Sequence, residues 1–297
     1  MSASTPSEWI IGFDGSESSR AAARWAVANA HGRSESVRLV HAWSIATATV
    51  YSAFEPVIVA ESIAAVEQAA RQELEAFVDE LAVESPVPVT ATLVHGDASS
   101  VLLDASRESD QVVVGARGSG RFERLLLGST STRCATHATV PTIVVRQDGD
   151  DKSPTSVRHI VVAVDGSPNS IAAVTWACSF AQPESKVDLI GVWEFSPGIF
   201  SSEYIYYPRA LDEARKRFDD QIAALPAAVH RDDIEINTTF VEGIPRKQIA
   251  AHAADADLLV VGARGRGAIG SALLGSVSTW LLHHCNKPVA VVPHLDP

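Results

Sequence analysis

The sequence predicts two tandem α/β domains, each a doubly wound parallel sheet with helices on both faces. Three observations carry this expectation. Five short segments recur in the same order about half a chain apart. Most of them are continuous apolar runs of strand length, as expected where helices cover both faces of a parallel sheet. Between them lie segments with helical periodicity.

The repeat is read directly. "WIIGFDGS" (Trp9 to Ser16) matches "IVVAVDGS" (Ile160 to Ser167), and "RLVHAW" (Arg38 to Trp43) matches "DLIGVW" (Asp188 to Trp193). "LVHGDA" (Leu93 to Ala98) matches "FVEGIP" (Phe240 to Pro245), and "VPTIVV" (Val140 to Val145) matches "KPVAVV" (Lys287 to Val292). The most conspicuous pair is "GARGSGRFERLLLGSTST" from Gly115 and "GARGRGAIGSALLGSVST" from Gly262, 147 positions later. One copy of all five makes a domain, so the chain reads as a duplication.

The elements follow in order. In the first half, strands are expected near Trp9–Asp14, Val37–Trp43, Val89–His95, Gln111–Ala116 and Thr142–Arg146. "SSRAAARWAVANAH" opens with serines suited to capping, and Ala22, Trp25, Ala26 and Asn29 give it one packing face. Trp176 stands on the matching helix, and both tryptophans are expected in the core. "ESIAAVEQAARQELEAFVDELA" carries a stripe of Ile63, Val66, Ala70, Leu74, Phe77 and Leu81. The second half repeats the plan, its longer helix lying near Arg209–Leu225. Domain 1 is expected over residues 1–147, a polar linker over 148–156 and domain 2 over 157–297. "DGDDKS" in the linker lacks the sixth-place glycine and closing glutamate of a calcium loop.

Composition narrows the function. The 297 residues are 46% hydrophobic and 20% charged, and no apolar run reaches the ~20 residues of a membrane span. The start "MSASTPSEW" lacks a secretory pattern. Three cysteines, Cys134, Cys178 and Cys285, make no disulfide framework. These features point to a cytoplasmic protein with no membrane partner. A net charge of −12 argues against nucleic acid as a partner. It leaves room for one small anion, because local backbone N–H groups outweigh a distant field.

The glycine stretches supply such a place. Each leaves the fourth strand of its unit, and ligands of open α/β sheets bind at the carboxyl ends of strands. Gly115, Gly118 and Gly128 correspond to Gly262, Gly265 and Gly275. Glycine admits close approach and positive φ. Ser129, Thr130 and Ser131, like Ser276, Val277 and Ser278, then open a helix whose N-terminus favours an anion. No Walker loop is present. "GRGAIG" satisfies G-x-G-x-x-G, but it follows the fourth strand of its unit, with no acid ~20 positions on, and its partner "GSGRFE" breaks the pattern. The shared spacing is G-x₂-G-x₉-G-S.

With "DGS" after the first strand and the closing "VPTIVV" and "KPVAVV" strands, this spacing resembles the universal stress protein family in its tandem, ATP-binding form. The resemblance covers nearly the whole chain. It implies flavodoxin-like or Rossmann-like domains (the adenine nucleotide alpha hydrolase-like type) with strand order 3-2-1-4-5, and one ATP per domain, with or without Mg2+. In domain 1, Asp14 would meet ribose or the adenine side. The backbone of Ala42 would hold the adenine, and Gly115, Gly118, Gly128, Ser129, Thr130 and Ser131 would line ribose and phosphates. In domain 2 the positions are Asp165, Val192, Gly262, Gly265, Gly275, Ser276, Val277 and Ser278. Thr130 stands where many members have valine. Arg117 and Arg264 lie within reach of a phosphate or of solvent. The family also implies pairing through last strands, here between the two halves of one chain and then between two chains in a homodimer.

Other candidates read as structural. His283 and His284 are adjacent on a helix and point about 100° apart, which suits packing or an interface better than zinc. His95 has no counterpart, since Glu242 stands there. The aromatic stretch Phe195 to Arg209 suits a lid or a subunit contact. No catalytic residue is expected, so hydrolysis should be absent or very slow, and the expected function is a nucleotide-sensing stress-response regulator. Two alternatives are a nucleotide-free dimerisation module and an adenylating enzyme. The enzyme would need "HIGH"-like or "SGGxDS"-like signatures, which the sequence lacks.

Overall fold

The computed structural model describes residues 7–30, 35–44, 56–118, 127–146, 156–194, 207–265 and 274–294. The chain divides into two compact units, Met1–Thr155 and Ser156–Pro297. Most of the linker and residues 195–206 of the aromatic stretch lie outside the described residues.

Unit 1 runs β1 (Ser7–Phe13), α1 (Glu17–Asn29), β2 (Glu35–Trp43), α2 (Pro56–Glu84), β3 (Val89–His95), α3 (Ala98–Ser106), β4 (Gln111–Gly115), α4 (Ser129–His137) and β5 (Thr142–Val145). Its strands are parallel in the order β3-β2-β1-β4-β5. Unit 2 runs β6 (His159–Ala163), α5 (Pro168–Phe180), β7 (Lys186–Trp193), α6 (Tyr207–Ala223), β8 (Glu235–Glu242), α7 (Pro245–His252), β9 (Leu258–Gly262), α8 (Ser276–His284) and β10 (Val289–Val292). Its parallel order β8-β7-β6-β9-β10 is the same topology. Both units therefore have the expected 3-2-1-4-5 doubly wound fold, whose order reverses between the first and fourth strands. That reversal opens a crevice at the strand tips.

The central strands are buried on both faces, which is why they read as continuous apolar runs. β4 and β9 are buried at every position, and Ile10, Ile11, Leu39, Leu258 and Leu259 are almost fully buried. All three cysteines are buried thiols, and burial pushes Cys134 up to about 12 and Cys178 to about 11. Among the described residues no helix is long and apolar enough to cross a membrane.

Three expectations change. The cap of α1 is Ser16, whose Oγ accepts from the Ser19 N–H at 3.2 Å, and not the following serines. The stripe of α2 is buried only at Leu74, Phe77 and Leu81, while Val66 is 46% exposed. A 29-residue helix is about 43 Å long, whereas the nine residues of β2 span about 30 Å, so the helix outruns the sheet it packs on. Trp25 is core, but Trp176 is half-buried and stacks on Phe180, 4.9 Å between centroids.

Candidate nucleotide site

In unit 1 the site begins where β1 ends. Gly15 takes φ +77°, and this turn folds the Asp14 carboxylate back onto Ser16. Asp14 Oδ1 accepts from the Ser16 N–H at 3.1 Å and from the Ser16 hydroxyl at 2.6 Å. The other oxygen points at Gly118, where a Cβ would sit 2.5 Å from it. Unit 2 repeats the device. Gly166 takes φ +76°, the Ser167 N–H donates to Asp165 Oδ1 at 2.9 Å, and a Cβ on Gly265 would sit 2.5 Å from Asp165 Oδ2.

The motif glycines divide by cause. Gly115 is a packing glycine: a Cβ there would meet Ser18 of α1, backbone included, at 2.5–2.6 Å. Gly262 likewise abuts the backbone of Asn169, at 2.8 Å. Gly118 and Gly265 make room for an aspartate. Gly128 and Gly275 are different. A Cβ on either would find its nearest neighbour at 3.5 Å, an ordinary contact. None of the six takes a positive φ; among the described glycines Gly15, Gly96, Gly166 and Gly243 do. A side chain at Gly115 or Gly262 would strike backbone, one at Gly118 or Gly265 only an aspartate carboxylate, and one at Gly128 or Gly275 nothing closer than 3.5 Å.

Gly128 and Gly275 are also the N-caps of α4 and α8, and neither helix has a side-chain cap. The N–H groups of a first turn have no intrahelical acceptor, so each helix presents them, with its positive dipole end, to the crevice. Ser131 and Ser278 are buried, and their hydroxyls donate to Gly115 O at 2.6 Å and Gly262 O at 2.7 Å. They pin the helix start to the strand tip, so the donor expected to face a ligand is used within the fold. The exposed hydroxyls are those of Ser129 and Ser276.

These parts enclose one cavity per unit, about 530 Å³ in unit 1 and about 620 Å³ in unit 2. The first is lined by Asp14, Ala42, Gly115, Arg117, Gly118, Gly128, Ser129, Thr130 and Ser131. The second is lined by the equivalents Asp165, Val192, Gly262, Arg264, Gly265, Gly275, Ser276, Val277 and Ser278. The structure thus brings every sequence-selected position into one of two cavities. Both volumes suit a small-molecule ligand. Arg117 is exposed, and its N–H donates to Ser18 Oγ at 3.2 Å.

Sequence reasoning missed Leu102 of α3 in the first cavity and Arg217, Phe218 and Gln221 of α6 in the second. The short motifs that reveal the duplication do not extend into these helices. The two units also differ around the turn that follows the first strand. In unit 1, Glu73 of α2 sits over Gly15 and pairs with Arg20 at 2.9 Å, and the Arg20 guanidinium lies 4.7 Å from the Phe77 ring centroid. His41 packs edge-on against Phe13, its Nδ1 buried without a partner. Burial lowers its pKa, against the pull of Glu73 and Asp14. In unit 2 the place of His41 is taken by Gly191, against the Phe218 ring.

Two of the histidines set aside from the sequence pack on tryptophans. His284 stacks on Trp280 at 4.2 Å, with Nδ1 2.8 Å from Trp280 O, and His95 packs edge-on against Trp43 at 4.8 Å. Among the described residues no cluster of three or more His, Cys, Asp or Glu could hold a metal.

Comparison with known proteins agrees with this architecture. The sequence model of the universal stress protein family matches residues 10–146 and again 156–293. A universal stress protein of Mycobacterium tuberculosis is 28% identical over 296 residues, covering 95% of each chain. One of Mycolicibacterium smegmatis is 30% identical over 290 residues, covering 95% of this chain and 96% of its own. The crystal structure of a universal stress protein from Archaeoglobus fulgidus superposes with a TM-score of 0.68 over 98% of this chain and 99% of its own. At 18% identity that is a likeness of fold. With the family matched once in each unit, the chain belongs to the universal stress protein family, as a tandem-domain member.

Proposed function

We propose that each unit binds one ATP and that the protein reads nucleotide state in a stress response without consuming the nucleotide. The observation that carries this is Gly128 with its counterpart Gly275: an uncapped helix N-terminus fronted by a glycine that the protein's own packing does not require. Phosphates would sit on the first turns of α4 and α8, with Ser129 and Ser276 donating to them and Arg117 and Arg264 at the rim. The ribose would meet Asp14 or Asp165, and the adenine the backbone of Ala42 or Val192. Each cavity aspartate already accepts from the serine two residues on, which suits a positioning group better than a base. This supports hydrolysis that is absent or very slow, with or without Mg2+.

Thermal unfolding with and without millimolar ATP tests the reading. A ligand at a hundred times its Kd stabilises each site by about 2.7 kcal/mol. A rise in Tm that saturates with ATP, with fewer than one phosphate released per minute per chain, is the expected result. No shift at millimolar ATP overturns the binding, and many turnovers per minute overturn the regulatory role.

A further inference from the structure

The unit 2 cavity extends to a place that side chains fill in unit 1. Trp193 O accepts from the Gly243 N–H on the β8 side of β7, and Ile190 O from the Val164 N–H on the β6 side. Alternation along the strand turns the Val192 N–H and C=O to the β6 side. β6 itself ends at Ala163, opposite Ile190, so that edge of Val192 meets no strand. Side chains alternate as well. Gly191 faces α6, since a Cβ there would strike the Phe218 ring. Trp193 shares that face, and so does Phe240, the register partner of Gly191, whose ring centroid lies 5.4 Å from that of Phe218. Trp193, Ala214, Phe218 and Phe240 all line the cavity, as Val192 does. The cavity therefore runs from the free edge of Val192 to an aromatic wall beneath α6.

In unit 1, His41 stands at the Gly191 position and Phe13 at that of Val164. His41 packs edge-on against Phe13, 5.7 Å between centroids, and Phe13 stacks on Phe77 of α2 at 5.1 Å. Of these three only Phe13 lines the unit 1 cavity, and no described residue of α2 does.

We propose that unit 2 binds adenine nucleotides carrying a planar aromatic group on the exocyclic amine, with that group against Trp193, Phe218 and Phe240, and that unit 1 accepts only the unsubstituted base. The inference rests on the nucleotide reading above, in which the backbone of Val192 holds the adenine. The N–H and C=O of one residue match the ring-nitrogen acceptor and the amine donor on one edge of adenine. The amine then lies at the C=O, on the Trp193 side, and its substituent meets the aromatic wall. Such a wall favours a planar ring through offset and edge-to-face contacts. In unit 1 the same ring would have to displace His41 and Phe77 from a packed cluster, and overpacking opposes it.

Calorimetric titration of the full chain with ATP and with N6-benzyl-ATP tests this. The expected result is two ATP per chain but one N6-benzyl-ATP. Gly265→Val, directed at unit 2, should remove that one site, and Gly118→Val, directed at unit 1, should keep it. In the Gly118→Val background, Ala214→Phe fills the compartment and should lower the N6-benzyl-ATP affinity relative to ATP by about tenfold or more. Trp193→Ala removes part of the wall and should lower the same ratio roughly fivefold. A variant that merely folds less well lowers both affinities together and leaves the ratio unchanged. ATP bound at two sites with N6-benzyl-ATP bound at both, at neither or at unit 1 alone, or with a ratio unmoved by Ala214→Phe and Trp193→Ala, overturns the selectivity and leaves the ATP reading standing. No ATP binding by the wild-type chain overturns both.

Discussion

At the scale of single residues, three glycines with one spacing serve three purposes, and the difference is measurable. Gly115 is fixed by Ser18 of α1, and Gly118 by the Asp14 carboxylate. Gly128 has ordinary space around it. Gly115→Ala forces strand and helix apart, an overpacking change of about 1–3 kcal/mol. Gly128→Ala costs at most about 1 kcal/mol, the penalty of a poorer N-cap residue. Its methyl would stand at the helix N-terminus where the phosphates are proposed to sit. Urea unfolding should therefore rank Gly115→Ala as the more destabilising. ATP titration should show the larger loss of affinity per kcal/mol of stability for Gly128→Ala. If Gly128→Ala binds ATP as wild type does, α4 is not the phosphate site.

At the scale of elements, equivalent helices start by different means. Asp97 caps α3: its Oδ1 accepts from the Ser100 N–H at 2.9 Å, the Ser99 hydroxyl at 2.7 Å and the Ser100 hydroxyl at 2.8 Å. In α7 the cap residue is Ile244, without a side-chain bond, and Pro245 presets the first turn. The hydrogen bonds from Ser99 and Ser100 hold the Asp97 carboxyl down at about 2, below the usual 3.8. A carboxyl depressed on folding stabilises above its unfolded pKa and loses that contribution as pH falls through its folded one. Asp97→Ala should cost about 1 kcal/mol at pH 7. The gap between variant and wild type should stay constant down to about pH 4 and close between there and about pH 2, as chemical denaturation at stepped pH would show. A gap independent of pH would mean that the cap acts without its charge. The same contrast shows what the sequence conveys of an element. "GDA" and "GIP" both mark a helix start, and Asp97 is a recognisable cap, but its three simultaneous serine-derived hydrogen bonds depend on a backbone turn that only the fold sets.

At the scale of the whole molecule, the duplication made the fold legible. The central strands are buried on both faces, so they read as near-continuous apolar runs, and five recurring segments give the order of elements in both units. The proposed site was legible to the extent that it lies in short stretches near strand tips: Asp14, Ala42 and the glycine motif are each close to a β-strand end. What stayed hidden comes from long helices. Glu73, Arg217 and Gln221 belong to segments where the two halves share pattern but little identity, and the length of α2 exceeds what its sheet can cover. The fate of Ser131 was hidden as well, because a serine at a helix start can face a ligand or the strand behind it, and only packing decides.

The duplication also makes a prediction about stoichiometry. Each unit has its own core and its own cavity, so damage to one cavity should leave the other intact when the changes share no partner. In Gly118→Val the new side chain meets Asp14 Oδ2, which is 2.5 Å from the Cβ position. The carboxylate is anchored through Oδ1 to Ser16, so it must swing away from Gly118 and disturb the cavity wall. Gly265→Val does the same to Asp165. Neither position lies in a buried strand, so the cost in stability is modest and the cost to binding is large. Titration with ATP should give two sites in the wild-type chain, one in each single variant and none in the double variant. The site that remains in each single variant should keep its wild-type Kd within about threefold, which is less than 1 kcal/mol. Loss of both sites from one substitution would show that the two units bind as a coupled pair, and two intact sites in Gly118→Val would remove Asp14 from the ligand's path.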